Sequence, residues 1–211
     1  MYMNTTMVKL IIWACIVVIH WFPTRTNAHG RLMDPVNRGS AWRKRFPVPA
    51  NYDDMGNNCG GFGKQYGYNR GQCGVCGDDF SLPRPRPNEN GGKYGRGVIV
   101  RRYQAGGPIQ LQVEITANHK GYFEFSLCPL NSPQDLETEE CFNAHPIYLK
   151  NGKRQFPVSE NLYGIVNISG FLPPNVRCKR CVLRWHYHCG NNIPLTGNQE
   201  TFRTCSDITI E

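Results

Sequence analysis

Beyond its first two dozen residues, the chain has no apolar run approaching the ~20 residues that span a bilayer, which argues against a membrane-embedded body. No internal repeat recurs and no long helical period is sustained, which excludes solenoids, bundles and coiled coils. Acidic residues are few, 16 Asp and Glu against 24 Lys and Arg. That excess is spread along the chain. Its densest part, Arg84, Arg86, Arg96, Arg101 and Arg102, has no interleaved aromatics and no nucleic-acid-binding motif, so a solvated surface is expected and nucleic acid is not a partner. Also missing is the 15 to 20 residue gap that would join two Cys-x-x-Cys pairs into a zinc ribbon. Cys73 and Cys76 stand about a hundred residues before Cys178 and Cys181.

The first twenty-eight residues form a secretory signal pattern. Lys9 is the positive start, Leu10 to Phe22 is apolar apart from His20, and Thr26-Asn27-Ala28 supplies the small residues that signal peptidase reads. Cleavage after Ala28 makes His29 the first residue of a mature, secreted, extracellular chain; an uncleaved anchor is the alternative. Residues 29–211 are long enough for a single domain with its own core. Of ten cysteines, Cys15 lies in the signal. In an oxidising compartment the other nine are expected to form four disulfides and leave one thiol. Cys189 is the first candidate for that thiol, because it follows a strand pattern directly. Zinc held by the Cys-x-x-Cys pairs, with His186 and His188, is the competing reading.

Organisation changes near Gly97. His29 to Gly97 is rich in Gly, Pro, Asn and Arg and reads as ordered loops, with Leu82 to Pro87 extended and Asn88 to Gly92 a turn. After it, Ile109, Leu111, Val113 and Ile115 alternate with Gln110, Gln112 and Glu114, the period of a half-buried antiparallel strand. Further candidates are Val98 to Tyr103, Tyr122 to Leu127, Leu162 to Ile168, Cys181 to His188 and Asp207 to Ile210. Short strands between turn-rich segments predict an all-β, immunoglobulin/fibronectin III-like β-sandwich with long, disulfide-stapled loops.

Histidines are then informative by position. His119 follows the Ile109 to Ile115 strand, where an edge loop can present its ring. In Cys181 to His188, Leu183, Trp185 and Tyr187 share one face and His186 and His188 the other. The aromatic face is expected in the core. The two histidines are open to a surface, rim, hydrogen-bonding or metal role. His145, before Pro146, reads as a loop residue.

Four segments together resemble the insect-type lytic polysaccharide monooxygenases, auxiliary activity family fifteen, within the chitin-binding type-4 superfamily. They are His29-Gly30-Arg31-Leu32, Cys73-Gly74-Val75-Cys76-Gly77-Asp78, Thr116-Ala117-Asn118-His119-Lys120-Gly121-Tyr122-Phe123 and Asn198-Gln199-Glu200-Thr201-Phe202-Arg203-Thr204-Cys205-Ser206-Asp207. The resemblance spans essentially all of residues 29–211. It implies one copper per chain in a histidine brace: His29 through its α-amine and ring Nδ1, and His119 through Nε2. Amine and imidazole nitrogens suit Cu(II), and an α-amine with pKa near 8 gives up its proton to a metal at little cost.

By the same resemblance Phe202 takes the axial position, Ala117 restricts the opposite side, and Glu200 positions water or an oxygen species. Read from composition alone, Phe202 is a core aromatic. The implied activity is secreted, copper-dependent oxidative cleavage at C1 or C4 of a crystalline polysaccharide, chitin first and cellulose second. It requires an external electron donor and hydrogen peroxide or dioxygen, and is expected of a monomer. It needs no carboxylate pair of the hydrolytic kind, and no motif for one is evident.

Tyr66 and Tyr68, in a Gly-rich loop, are candidate sugar-contacting aromatics or local packing residues. Cys189 to Gly197 is shorter than the usual family loop and lacks its internal cysteines, a difference expected to alter the substrate surface. The alternatives are a non-catalytic chitin-binding protein and a disulfide-rich extracellular protein that binds polyanions.

Overall fold

The computed structural model describes residues 29–192, 194 and 197–211. The segment expected to be a secretory signal, residues 1–28, lies outside the described residues, as does part of the Cys189 to Gly197 segment. In chain order the strands are β1 (His29–Asp34), β2 (Arg101–Tyr103), β3 (Pro108–Ala117), β4 (Tyr122–Pro129), β5 (Tyr148–Leu149), β6 (Phe156–Pro157), β7 (Gly164–Phe171), β8 (Cys178–His188) and β9 (Thr201–Ile210). They make two sheets, ordered β1-β3-β7-β5 and β2-β9-β8-β4-β6. Every pairing is antiparallel except β2 on β9. The chain is thus the all-β sandwich that the alternating pattern predicts.

Period-two patterning explains the packing. Ile109, Leu111, Val113 and Ile115 of β3 are all buried, and they share one core with Phe123, Phe125 and Leu127 of β4 and Leu183, Trp185 and Tyr187 of β8. Each such side chain contributes about 1.5–3 kcal/mol on leaving water. A smaller core lies on the other face of β8 and β4, where Val182, Cys128 and Leu130 meet Val75, Cys76, Phe142 and Cys205. Phe142 reaches it from a short helix, α1 (Glu139–Ala144), whose start is capped by Thr138 Oγ1 accepting the Cys141 N–H at 3.1 Å.

The cysteines pair as Cys59–Cys73, Cys76–Cys205, Cys128–Cys141 and Cys178–Cys181, with Cys189 a buried free thiol. This is the expected count with the expected odd residue. The zinc alternative for the Cys-x-x-Cys pairs fails, because all four of those sulfurs are in disulfides. Cys76–Cys205 matters most for architecture, since it fastens the loop-rich first third to β9. Beside it, Arg38 is buried between two carboxylates, donating to Asp207 at 2.9 and 2.6 Å and to Glu137 at 2.5 Å.

β1 departs from the reading of everything before Gly97 as loops. His-Gly-Arg-Leu-Met-Asp carries no two-residue apolar period, because its third residue is a buried cation. Arg31 lies between Asp54, at 2.6 Å from Nη1, and Glu114, at 2.9 Å from Nε. Burial of that charge is tolerated because both partners are in reach. Boundaries also move: the Val98 to Tyr103 candidate contracts to three residues, and the last strand begins at Thr201 rather than Asp207.

Candidate metal centre

Register brings His29 and the loop histidine, His119, to one end of the first sheet. His29 pairs with Ala117, the last residue of β3, and His119 follows two positions later. Thr116 Oγ1 donates to the His29 carbonyl at 3.3 Å, joining the two strands across this end. Arg31, anchored as above, holds β1 to β3 two residues further in.

The loop carrying His119 is fixed on all sides. Its backbone N–H donates to the Tyr187 hydroxyl at 2.8 Å, and its carbonyl accepts from the Gly190 N–H at 2.8 Å. Asn118 Nδ2 donates to the carbonyls of Ser159 and Leu162, at 2.8 and 2.6 Å. The chain turns at Gly121, where φ is +89° and a Cβ would stand 1.9 Å from the His188 carbonyl oxygen, so only glycine fits. A binding ring on such a loop is pre-positioned at little entropic cost.

Glu200 meets this loop from the segment leading into β9. One carboxylate oxygen lies 3.0 Å from His119 Nδ1, and the other accepts from Asn58 Nδ2 at 3.2 Å. The contact engages Nδ1, so Nε2 is the ring nitrogen that this carboxylate does not hold. Phe202, two residues along, is fully buried in the main core with its ring centroid 6.0 Å from that of Tyr187. Its side chain carries no donor atom.

Cys189 completes the surroundings, with a ligand-capable atom within 4.8 Å of those of His119 and Glu200. Burial is the main cause that raises its thiol above the ordinary range, and the Glu200 charge adds to it. In the metal-free chain it therefore stays a thiol, the form that ligates poorly. Tyr187 is shifted upward for the same leading reason, burial.

The sequence reading did not assign site roles to Tyr187, Asn58, Arg31 or Cys189. Tyr187 was legible only as a core aromatic, and nothing local marks its hydroxyl as the partner of a loop amide. Tyr66 and Tyr68, expected in a loop, lie instead on a helical turn, Gly63–Tyr68, and their surroundings differ. Tyr66 donates from its hydroxyl to the Gln199 carbonyl at 2.7 Å and packs on Phe62, so it braces the segment before Glu200. Tyr68 is 69% exposed, with the Lys64 ammonium 4.5 Å from its ring centroid.

The site is thus a β-sandwich with two histidines at one sheet end, one of them at the start of its first strand. The model of the family described as "Lytic polysaccharide mono-oxygenase, cellulose-degrading" matches residues 29–208, and the chain belongs to the lytic polysaccharide monooxygenases. It is a copper-dependent enzyme of the insect-type AA15 group. Among solved structures it is similar to the "Lytic Polysaccharide Monooxygenase AA15 from Thermobia domestica in the Cu(I) State", at 45% identity and a TM-score of 0.83, covering 86% of this chain and 98% of that one. No curated protein matches.

Proposed function

We propose that the mature chain starts at His29, is secreted, and cleaves chitin oxidatively, with cellulose the second substrate, at a copper held by His29 and His119. The observation that carries this reading is the pairing of His29 with Ala117, two residues before a histidine whose Nδ1 meets Glu200. The family match beginning at residue 29 supports cleavage at that point. Cellulose appears in the description of the matched family, so both polymers belong in the test.

The donor set fits copper. An α-amine and neutral imidazoles are borderline nitrogen donors, which favour Cu(II) among the divalent ions. Ligation would come from the His29 amine and Nδ1 and from His119 Nε2. Bound copper supplies the redox chemistry that, with an external electron donor and peroxide or dioxygen, hydroxylates C1 or C4 beside the glycosidic bond.

The remaining work belongs to the protein. Glu200 places a carboxylate oxygen 3.0 Å from His119 Nδ1, so its negative charge bears on that side of the ring while ligation is assigned to Nε2. Asn58 in turn holds the Glu200 carboxylate in place. Phe202 offers a hydrocarbon wall where a donor atom would compete for the metal, and Ala117 leaves little bulk on its side. Tyr68, exposed at the end of the helical turn that carries Tyr66, is available to stack on a sugar ring.

The test compares the chain beginning at His29 with one that retains Ala28. The first is expected to bind Cu(II) tightly, to show nitrogen hyperfine structure in electron paramagnetic resonance, and to release oxidised oligosaccharides from chitin with ascorbate. The second should lose both tight binding and product. Equal behaviour of the two would sink the brace.

A further inference from the structure

We propose a second metal site, for a divalent transition ion of the zinc class, on the outer face of the five-stranded sheet. Its ligands are Glu124 of β4 and His186 and His188 of β8. These positions alternate with Phe123, Trp185 and Tyr187, which face the core, so the three side chains project from the opposite face. Each offers a ligand atom, and all three atoms lie within 4.8 Å of one another.

The local geometry is that of ligands around an ion rather than of a settled ion pair. His188 Nε2 is 3.3 Å from a Glu124 carboxylate oxygen, yet it is shut off from solvent and makes no hydrogen bond of acceptable geometry. Adjacent ligand atoms of a tetrahedral ion with bonds of ~2.0–2.1 Å stand roughly 3.3 Å apart. The two imidazoles are in contact, with centroids 3.6 Å apart and ring planes tilted by 34°. His186 is itself buried, at 9% exposure.

Supporting contacts are also present. Gln155 Nε2 donates to the other Glu124 oxygen at 3.2 Å, and Tyr122 stacks on His188 with centroids 4.5 Å apart. Such outer partners orient metal ligands. One neighbour opposes binding: Arg203 Nε reaches His186 Nε2 at 3.3 Å and competes for that ring. Glu139 balances it, since its carboxylate pairs with both Arg203 and Arg184. An ion would displace the Arg203 contact with His186 while the pair with Glu139 persists. Two imidazoles and one carboxylate suit zinc and copper more than magnesium or calcium.

The experiment is equilibrium dialysis of the copper-loaded mature chain against micromolar free zinc, with both metals counted per chain by mass spectrometry. One zinc beside one copper is expected. His188→Gln and Glu124→Gln should each lose the zinc and keep the copper, whereas Arg203→Gln should bind zinc more tightly than the parent. Cobalt(II) offered to the same proteins gives a second readout: four-coordinate d–d bands in the parent, absent from the His188→Gln variant. Melting temperatures measured without added metal separate loss of a ligand from loss of the fold. No zinc in the parent, or zinc that survives both ligand substitutions in folded protein, would overturn the site.

Discussion

Removing the disulfide between Cys76 and Cys205 should destabilise this protein more than removing the one between Cys128 and Cys141, and the structure allows the difference to be attributed to one cause. All four cysteines belong to the same small core, beside Val75, Leu130, Phe142 and Val182, so exchanging each pair for alanine removes comparable packing. What differs is the loop each closes, with sequence separations of 129 and 13. Loop closure restricts the unfolded chain by an entropy that grows with the logarithm of loop length, giving about 5 kcal/mol for the long loop and about 3 kcal/mol for the short one. The expected gap is therefore about 2 kcal/mol. Urea unfolding of Cys76→Ala/Cys205→Ala and Cys128→Ala/Cys141→Ala, each against the parent, measures it directly. An equal cost, or a larger one for the short loop, would refute the argument from chain entropy.

Three further outcomes are expected. Glu200→Gln removes the anionic partner of His119 Nδ1 and should lower copper affinity or oxidised-product release by about 10- to 100-fold, read by copper titration and chromatography of the products. Arg38→Ala leaves Asp207 and Glu137 buried without their cation and should cost about 3–5 kcal/mol in urea unfolding. Asp78 is pushed up to about 6, chiefly by burial and against the hydrogen bonds from Asn88, so the folded chain holds a proton that the unfolded chain releases near 3.8. Stability should then fall as pH rises from about 4 to 6, by at most roughly 3 kcal/mol at 1.36 kcal/mol per pKa unit. Thermal melts of Asp78→Asn across that range should lack this slope; an unchanged slope would exonerate Asp78.

Strand periodicity was legible because it is local. Ile109 to Ile115 and Cys181 to His188 announce one apolar face by alternation, and the sheets follow that pattern. β1 was not legible, since the role of Arg31 depends on Asp54 and Glu114, which lie far away in the chain. The same holds at the candidate metal centre. His29 and His119 stood out through a cleavage pattern and a family resemblance, whereas Asn58 and Tyr187 have no local signature. Tyr66 and Tyr68, equivalent in the sequence, diverge because only one hydroxyl finds the Gln199 carbonyl.

By itself the sequence determined the β-sandwich, the number of disulfides and the odd cysteine, which depend on residue type, spacing and order; the residues expected to meet copper came from its resemblance to a family. Tertiary structure alone decided which cysteines join, which carboxylate meets which imidazole, and that Glu124 on β4 converges with His186 and His188 on β8. Those pairings rest on strand register and loop docking, set by the summed packing of distant segments, and no window along the chain contains them.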